Sequence, residues 1–448
     1  MTVPNEAALQ AADSAVAAPV VGDVDAVSSL DPSVRRRAVV AMSVGNMLEY
    51  YDFAGYAVLA TIIGKLFFAA TDPVAQLSSA FSVFAVAFVF RPIGAVLFGW
   101  LADKVGRRST LLIVVTIMGV ATIVIGLLPT YAGIGVAAPI LLVVARAAQG
   151  LSLGGEFSTS AAFLVEFAPR HRRGFYGSFT YGSAILGSAV GVALVFGLSS
   201  SLGSGAMLSY GWRIPFLLSF PLLLVGFYLR YRLSETPHFQ QLRRARAPVP
   251  AGENLWTHRK SMFQVVGVMV AMATGSYILL SFMTSYLLTV LRYSPTTVYW
   301  SVIATAVFGA IVTVAFGRIS DSVGRRPVLV TACVLLLLFS YPAFLLLSSG
   351  PLGAWLGQFV LWFIMGMFSG AIPAAFSELF PTRYRAAGFG IAYAVATAAL
   401  SGVAPLAATA LIRATGSSAS PGWYLTAAGL ISLPVALWVR ESVGKSLD

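Results

Sequence analysis

The stretch Gly45-Asn46-Met47-Leu48-Glu49-Tyr50-Tyr51-Asp52-Phe53-Ala54-Gly55-Tyr56 decides the fold, because it sets two carboxylates in an apolar run long enough to cross a bilayer. Glu49 and Asp52 are three residues apart, roughly one helical turn. A carboxylate at the centre of a membrane helix costs about 3 kcal/mol on insertion scales, so it is rarely there without a function. We interpret both as proton-carrying or ion-pairing groups that face a water-filled cavity. The alternative is a helix-end or packing role.

The helical period also groups the neighbours of these carboxylates. Spacings of three, four and three residues place side chains on one face of a helix. Two runs have this spacing: Asn46, Glu49, Phe53 and Tyr56 in the first, and Arg146, Gln149, Leu153 and Glu156 in the fourth. The sequence therefore predicts polar faces on two helices that lie within the membrane.

The composition identifies a polytopic membrane protein. Hydrophobic residues make up 58% of the chain and charged residues 10%, whereas soluble domains have about 25% charged residues. The net charge of +12 does not indicate nucleic-acid binding, because the basic residues lie in short loops between apolar runs. The single cysteine, Cys333, lies in an apolar run and offers neither a disulfide framework nor a cysteine metal site. We expect no metal and no cofactor.

The fold class predicted is an all-α membrane protein with twelve transmembrane helices in two six-helix bundles. The apolar spans cover approximately residues 38–66, 77–101, 109–130, 138–165, 173–199, 212–231, 261–291, 297–318, 327–348, 353–377, 386–413 and 421–440. The predicted organisation is a disordered leader (1–34), an N-terminal bundle (35–233), a middle loop (234–260), a C-terminal bundle (261–440) and a tail (441–448).

The distribution of positive charge predicts the orientation. Most of the 29 Lys and Arg residues lie in the leader, in the loops after even-numbered spans and in the tail. The opposite side has only Lys65, Arg213, Arg292 and Arg413. By the positive-inside rule, both termini and the middle loop are cytoplasmic. In this count Arg230 belongs to the cytoplasmic side, and Arg91 and Arg146 are the two basic residues inside spans.

The two halves of the chain repeat two motifs. The segment from Gly99 to Arg108 has the pattern G-x-x-x-D-x-x-G-R-R, which recurs from Gly317 to Arg326, 218 residues later. Glu166-Phe-Ala-Pro169 recurs as Glu378-Leu-Phe-Pro381 with an offset of 212. Two motif pairs at nearly equal offsets indicate a duplicated six-helix unit with a binding site between the halves.

We interpret the repeated charged motifs as a cytoplasmic gate, whose ion pairs form when the cavity faces outward and break when it faces inward. The alternative is a positively charged loop with incidental pairing. The predicted gate residues are Asp103, Arg107, Arg108, Glu166 and Arg173 in the first half and Asp321, Arg325, Arg326, Glu378 and Arg385 in the second.

With these motifs the chain resembles the major facilitator superfamily, and more narrowly the metabolite:proton symporter family. The resembling segments are Gly45-Asn46 with Glu49 to Phe53, Arg91-Pro92-Ile93-Gly94, Arg146 to Glu156, Trp212 to Phe216, and Glu235-Thr236-Pro237. One departure is Tyr50, where the family usually has tryptophan. The resemblance implies a monomeric transporter of the bacterial inner membrane, with the bilayer, protons and a small molecule as partners. It implies import of organic acids such as 2-oxoglutarate, citrate or shikimate, or of zwitterions such as proline and glycine betaine, with protons.

Read without the family, the charges inside spans lie in the first half: Glu49, Asp52, Glu156, Arg91 and Arg146. We assign proton coupling to the three acids together with Arg146. The two arginines favour an organic anion, because a desolvated carboxylate needs a positive partner. The predicted substrate-binding residues are Arg91, Arg146, Asn46, Tyr56, Gln149, Tyr277 and Tyr393.

Several alternatives stay open at this point. A quaternary ammonium would instead seek aromatic faces, which Tyr50, Tyr51, Tyr56, Tyr277, Tyr286, Trp362 and Tyr393 can supply. The pairs Arg146–Glu156, and Arg91 with Glu49 or Asp52, are static in a purely structural interpretation. A substrate sensor without transport is a rival function. An enzyme is excluded, because the G-x-S-x-G match at 150–154 lies in an apolar helix and the three histidines lie in loops.

Overall fold

The computed structural model describes residues 32–69, 73–236, 239–240, 254–445 and 447. The predicted disordered leader, apart from its last three residues, lies outside the described part of the chain. Most of the predicted middle loop also lies outside it, so its structure is not discussed.

The described residues form a bundle of long helices, here numbered α1 to α12. Their bounds are Pro32–Phe67 (α1), Pro73–Val105 (α2), Arg107–Leu127 (α3), Ala137–Phe167 (α4), Arg173–Ala206 (α5), Arg213–Tyr231 (α6), Leu255–Val290 (α7), Pro295–Val323 (α8), Arg325–Leu347 (α9), Pro351–Ser377 (α10), Arg385–Thr415 (α11) and Pro421–Trp438 (α12).

Ten of these helices meet both the length and the hydropathy expected of a membrane span within the described residues. The other two are α1, which carries Glu49 and Asp52, and α12, which has only 18 residues and contains Pro434. The number of helices matches the prediction. The first helix begins several residues before the predicted span, because Arg35 to Arg37 continue the helix beyond the apolar run.

Close helix packing positions the charged side chains of the first half. In that half α2 packs along α4 and α1 along α5, while in the second half α8 packs along α10 and α9 along α12. A Cβ atom on Gly150 would lie 2.2 Å from the carbonyl oxygen of Ala87, and one on Gly154 would lie 2.0 Å from that of Arg91. The glycines of α4 therefore let α2 approach so closely that Arg91 is fixed against the centre of α4.

The two halves meet along α5 with α8 and along α2 with α11. Two helices of the second half depart from regular α-helix near this interface. Helix α7 has π-helical turns at Ile278–Phe282 and Tyr286–Val290, and α11 is interrupted between Leu400 and Ala404. Such irregular turns are frequent at functional sites and at hinges.

The backbone conformation explains why glycine stands before Arg-Arg in both repeated motifs. Gly106 has a φ of 124° and Gly324 a φ of 112°, a region that a side chain disfavours. Each glycine directly precedes a helix, α3 or α9, and turns the chain sharply after the preceding span.

Candidate functional site

Asp52 of α1 forms an ion pair with Arg146 of α4 in the interior of the first half. Nη1 of Arg146 donates to Oδ2 of Asp52 at 2.9 Å and to Oε1 of Gln149 at 2.6 Å. Nε2 of Gln149 donates to the same carboxylate oxygen at 3.1 Å and to Oγ1 of Thr122 at 2.7 Å. The guanidinium carbon lies 3.7 Å from the centre of the Tyr56 ring. Arg146 is thus held by a carboxylate, an amide and a ring face.

Glu156 pairs with a different arginine from the one that the sequence indicates. Nη2 of Arg230, on α6, donates to Oε1 of Glu156 at 2.5 Å, and Nη1 of Arg230 donates to the carbonyl oxygen of Leu111 at 3.1 Å. Arg230 was predicted as a loop residue on the cytoplasmic side, but it lies in the last turn of α6 and its side chain is fully buried. The last turn of α6 packs against α1 and α3, so the guanidinium points back into the bundle. The suggested Arg146–Glu156 pair is absent from the described residues.

Glu49 has no ion pair and no hydrogen-bond partner among the described residues. It is only 2% exposed, and its Oε2 atom is fully buried. The charged groups near enough to act on it are Glu156, Arg91 and Arg230. The environment of Glu49, with a second carboxylate and two arginines nearby but no direct partner, therefore differs from that of Asp52, which is paired with Arg146.

Arg91 of α2 reaches across the interface between the halves. Its Nη1 donates to the hydroxyl oxygen of Tyr277, on α7, at 3.0 Å. The guanidinium carbon lies 4.7 Å from the Phe88 ring centre and 5.3 Å from that of Phe53. Its Nε and Nη2 atoms are buried without a hydrogen-bond partner in the described structure. Arg91 therefore keeps two donors for a further acceptor.

A small cavity of about 20 Å³, room for about one water molecule, lies between the halves next to this arginine. Five aromatic side chains form much of its wall: Tyr50, Tyr181, Tyr277, Trp362 and Tyr393. Its polar lining comes from Ser276, Ser369 and Thr397, and no charged side chain lines it within the described residues. A second small cavity, also of about 20 Å³, shares Tyr50, Tyr277 and Leu280 with the first. The first cavity is an aromatic chamber with a guanidinium behind one wall.

The structure brings only some of the predicted substrate residues to this chamber. Tyr277 and Tyr393 line it, and Arg91 contacts it through Tyr277. The others lie inside the first half: Arg146 and Gln149 in the Asp52 network, Asn46 against Ser160 and Thr180, and Tyr56 with its hydroxyl on Ala80. Tyr181 was missed by the sequence reasoning, although a large aromatic residue among the small residues of α5 was an available signal.

The predicted gate residues cluster at one end of the bundle, which we call the gate face. The carboxylate of Asp103 accepts hydrogen bonds from the backbone N–H groups of Ala386 at 3.4 Å and Ala387 at 2.9 Å, at the start of α11. In the other half Asp321 accepts from Gly174 and Phe175, both at 2.8 Å, at the start of α5. Each aspartate thus caps a helix of the opposite half.

Buried ion pairs join the halves at the same face. Glu166 pairs with Arg385 of the other half at 2.7 Å and with Arg107 at 3.4 Å. Glu378 pairs with Arg325 at 3.4 Å and with Arg173 of the other half at 3.7 Å. In this structure the two halves are therefore joined by ion pairs at the gate face.

Two of the predicted gate arginines make no side-chain ion pair in the described structure. The Arg108 guanidinium donates to the carbonyl oxygen of Tyr231 at 2.5 Å, and Arg326 is exposed. Their backbone N–H groups instead bind Glu235 and Glu441.

These two glutamates were not predicted as gate residues. Glu235 accepts from the N–H groups of Arg107 and Arg108 at the start of α3, and Glu441 accepts from those of Arg325 and Arg326 at the start of α9. Burial raises the pKa of Glu235 despite its backbone hydrogen bonds. Burial also acts to raise the pKa of Glu441, but its backbone hydrogen bonds outweigh that effect and lower the pKa.

Comparison with known proteins identifies the family and the fold of the chain. The family model described as Major Facilitator Superfamily matches residues 42–405 and 265–447. The chain is 35% identical over 436 residues to the glycine betaine/proline/ectoine/pipecolic acid transporter OusA of Dickeya dadantii, covering 95% of this chain and 87% of that protein. It is 36% identical over 412 residues to the citrate-proton symporter of Klebsiella pneumoniae, covering 88% and 90%. Among solved structures, the proton:xylose symporter XylE bound to 6-bromo-6-deoxy-D-glucose superposes with a TM-score of 0.77 at 19% identity, covering 93% of this chain and 98% of that one.

Proposed function

The chain belongs to the major facilitator superfamily, and we propose that it is a proton-coupled symporter of a small zwitterion of the betaine or proline class. Membership in the family makes the chain a multi-pass membrane transporter and not an enzyme, as the sequence predicts.

The observation that carries the proposal is the aromatic chamber with Arg91 behind one of its walls. Four tyrosines and a tryptophan surround this small cavity, and aromatic ring faces attract a substituted ammonium group. The two unpartnered donors of Arg91 suit the carboxylate of the same molecule. A zwitterion with the two groups a few atoms apart uses both features.

The organic acid predicted from the sequence is the second candidate. It is favoured by the free donors of Arg91 and by the resemblance to a citrate-proton symporter. It is disfavoured by the chamber, because a di- or tricarboxylate needs several cations and the described lining has none. Arg146 is already held by Asp52 and Gln149.

Glu49 is the proton carrier in this proposal. It is buried without a partner, so its protonated form needs no compensating charge and its ionised form gains from nearby arginines. The ion pair of Asp52 and Arg146 is a second ionisable site in this proposal, and it rearranges when Glu49 gains or loses its proton. Both sites lie in the half of the chain that carries Arg91.

The gate face is cytoplasmic in this proposal, with both termini on that side of a bacterial inner membrane. The support is the excess of Lys and Arg in the loops at that face. The closed gate then keeps the cavity away from the cytoplasm until substrate and proton are bound, and breaking its ion pairs opens the inward path.

Uptake into proteoliposomes with an imposed inward proton gradient tests the function. Labelled glycine betaine, proline, citrate and 2-oxoglutarate are supplied separately, with and without a protonophore. We expect gradient-driven accumulation of betaine or proline that the protonophore abolishes. Accumulation of citrate or 2-oxoglutarate alone would overturn the substrate class, and binding without any flux would indicate a sensor.

A further inference from the structure

Arg230 is a buried cation whose role the proposed transport mechanism leaves open. It enters from the end of α6, pairs with Glu156 of α4 and binds the Leu111 carbonyl of α3. Its Nε atom has no hydrogen-bond partner in the described structure. Burying a guanidinium fully out of water is costly, so charged residues inside membrane proteins usually have a function.

The guanidinium of Arg230 occupies a space that Gly45 of α1 leaves open. A Cβ atom on Gly45 would lie 1.7 Å from Nη2 and 2.4 Å from the guanidinium carbon. Gly45 is four residues before Glu49, one helical turn away on the same face. The guanidinium therefore lies against α1 one turn from the unpaired carboxylate.

The charged and titratable groups around Glu49 come from five helices. They are Glu156 from α4, Arg91 from α2, Arg230 from α6, the Tyr277 hydroxyl from α7 and, on α1 itself, the Tyr50 hydroxyl. Arg91 is already bound to Tyr277, whereas Arg230 is bound to the second carboxylate of the group. Glu49 and Glu156 therefore compete for Arg230, and repulsion between two carboxylates favours a single proton on the pair.

We propose that Arg230 is a positioning residue of the proton-coupling site, and that its guanidinium alternates between Glu156 and Glu49 during transport. In the present arrangement Glu156 is ionised and paired, and Glu49 holds the proton. When the guanidinium turns to Glu49, the O–H bond of Glu49 breaks and an O–H bond forms on Glu156, directly or through a water molecule. The total charge of the group is unchanged. Glu156 then releases the proton towards the gate face. This inference rests on the proposed proton symport.

Two variants displace or remove the guanidinium by different routes. Arg230→Gln removes the charge, while Gly45→Ala keeps the charge but pushes the guanidinium out of its space. Gly55→Ala, on the same helix as Gly45, is the matched control, because a Cβ atom on Gly55 meets no neighbouring atom within 4 Å. Arg230→Lys keeps a cation with a shorter reach and tests rescue by charge alone.

Each variant is measured in two assays in proteoliposomes at several pH values. The first is gradient-driven accumulation, which requires proton release in every cycle. The second is exchange of labelled for unlabelled substrate without a gradient, in which the carrier returns loaded and need not release its proton. We expect Arg230→Gln and Gly45→Ala to lower accumulation at least about tenfold and to keep exchange within about twofold. Arg230→Lys is expected to be intermediate, and Gly55→Ala to match the wild type.

Wild-type accumulation in both variants would overturn the inference. Equal loss of exchange and accumulation in Gly45→Ala would also overturn it, since this would indicate a structural role only. Failure of the proposed function has a different signature: the wild-type protein itself would exchange substrate but show no response to a proton gradient.

Discussion

At the scale of single residues, Glu49 and Asp52 show how two carboxylates three residues apart acquire different environments. Asp52 accepts from Arg146 and Gln149, whereas Glu49 has no partner among the described residues. The sequence predicts both as ionisable groups within the membrane. The partner of each depends on which side chains α2, α4 and α6 bring to α1, and this follows from helix packing.

We predict that Glu49→Gln abolishes gradient-driven accumulation and preserves substrate exchange. Glutamine imitates the protonated carboxyl group in size and hydrogen bonding, so the loaded carrier can still alternate. The measurement is the ratio of accumulation to exchange in proteoliposomes, which should fall at least about tenfold. Concentrative uptake at the wild-type level would refute the proton role of Glu49.

Asp52→Asn should cost stability as well as transport. The substitution leaves Arg146 buried without an opposing charge, and breaking one side of a buried pair costs about 3–5 kcal/mol. Thermal unfolding in detergent, followed by tryptophan fluorescence, should show a lower midpoint for Asp52→Asn than for Glu49→Gln. The interpretation of Asp52 as a held partner fails if the two midpoints agree.

Arg91 and Tyr277 are separable by substitution. Arg91→Ala removes the proposed carboxylate clamp and should weaken substrate binding at least about tenfold. Tyr277→Phe removes only the hydroxyl that Arg91 binds and keeps the ring in the chamber, so its affinity should stay within about threefold. Equilibrium binding of labelled substrate in detergent gives both values. Unchanged affinity in Arg91→Ala for every transported molecule would exclude the clamp.

At the scale of helices, the two glutamates that follow α6 and α12 cap the starts of α3 and α9. They are equivalent in position but differ in the direction of their pKa shifts, because burial dominates at Glu235 and backbone N–H groups dominate at Glu441. A helix-capping carboxylate typically contributes about 0.5–2 kcal/mol. We therefore expect Glu441→Gln to lower the unfolding midpoint at pH 7 more than Glu235→Gln does.

The pH dependence of these two caps should have opposite signs. The pKa of Glu441 is lower in the folded protein than the ordinary value of 4.5, so its stabilisation is complete above that value and is lost as pH falls through the folded pKa. The pKa of Glu235 is raised, so its contribution is greatest below 4.5 and declines as pH rises through the folded pKa. Unfolding midpoints of both variants relative to wild type, measured from about pH 2.5 to pH 8, test this. Parallel curves for the two variants would contradict the assignment.

The helices themselves were predictable from sequence because length and hydropathy alone determine a membrane span. The clustering of the charged motifs at one end was predictable because the motifs occur twice, whereas their role as a gate stays a prediction. The buried position of Arg230 was not predictable, since a basic residue at the end of a span normally extends to the aqueous surface. The side chain turns inward because α6 packs against α1 and α3. Gly45 carried the missing signal, but a glycine that accommodates a distant guanidinium cannot be recognised until its neighbour is known.

At the scale of the whole molecule, the two halves contribute different kinds of side chain to the interior. In the described residues the ion pairs in the interior of the bundle, away from the gate face, belong to the first half, whereas the second half contributes Tyr277, Trp362 and Tyr393 to the chamber. Arg91 connects the two sets of residues, because it lies in the first half with the buried ion pairs and donates a hydrogen bond to Tyr277 of the second half.

The gate face provides a prediction for the molecule as a whole. Glu166→Gln weakens its ion pair with Arg385 between the halves, and a lost charge-assisted hydrogen bond of about 1.5–3 kcal/mol should increase the open population at least about tenfold. A thiol placed in the chamber by Thr397→Cys, with Cys333→Ser to remove the native thiol, reports this opening through its rate of reaction with an impermeant reagent added at the gate face. Glu235→Gln is the control, since it makes the same Glu-to-Gln change at the same face, and in the described structure its side chain binds the N–H groups of Arg107 and Arg108 of its own half. Equal labelling rates in Glu166→Gln and in the control would mean that the ion pair does not hold the halves together, whereas faster labelling in Glu166→Gln alone makes it the bond that alternating access must break.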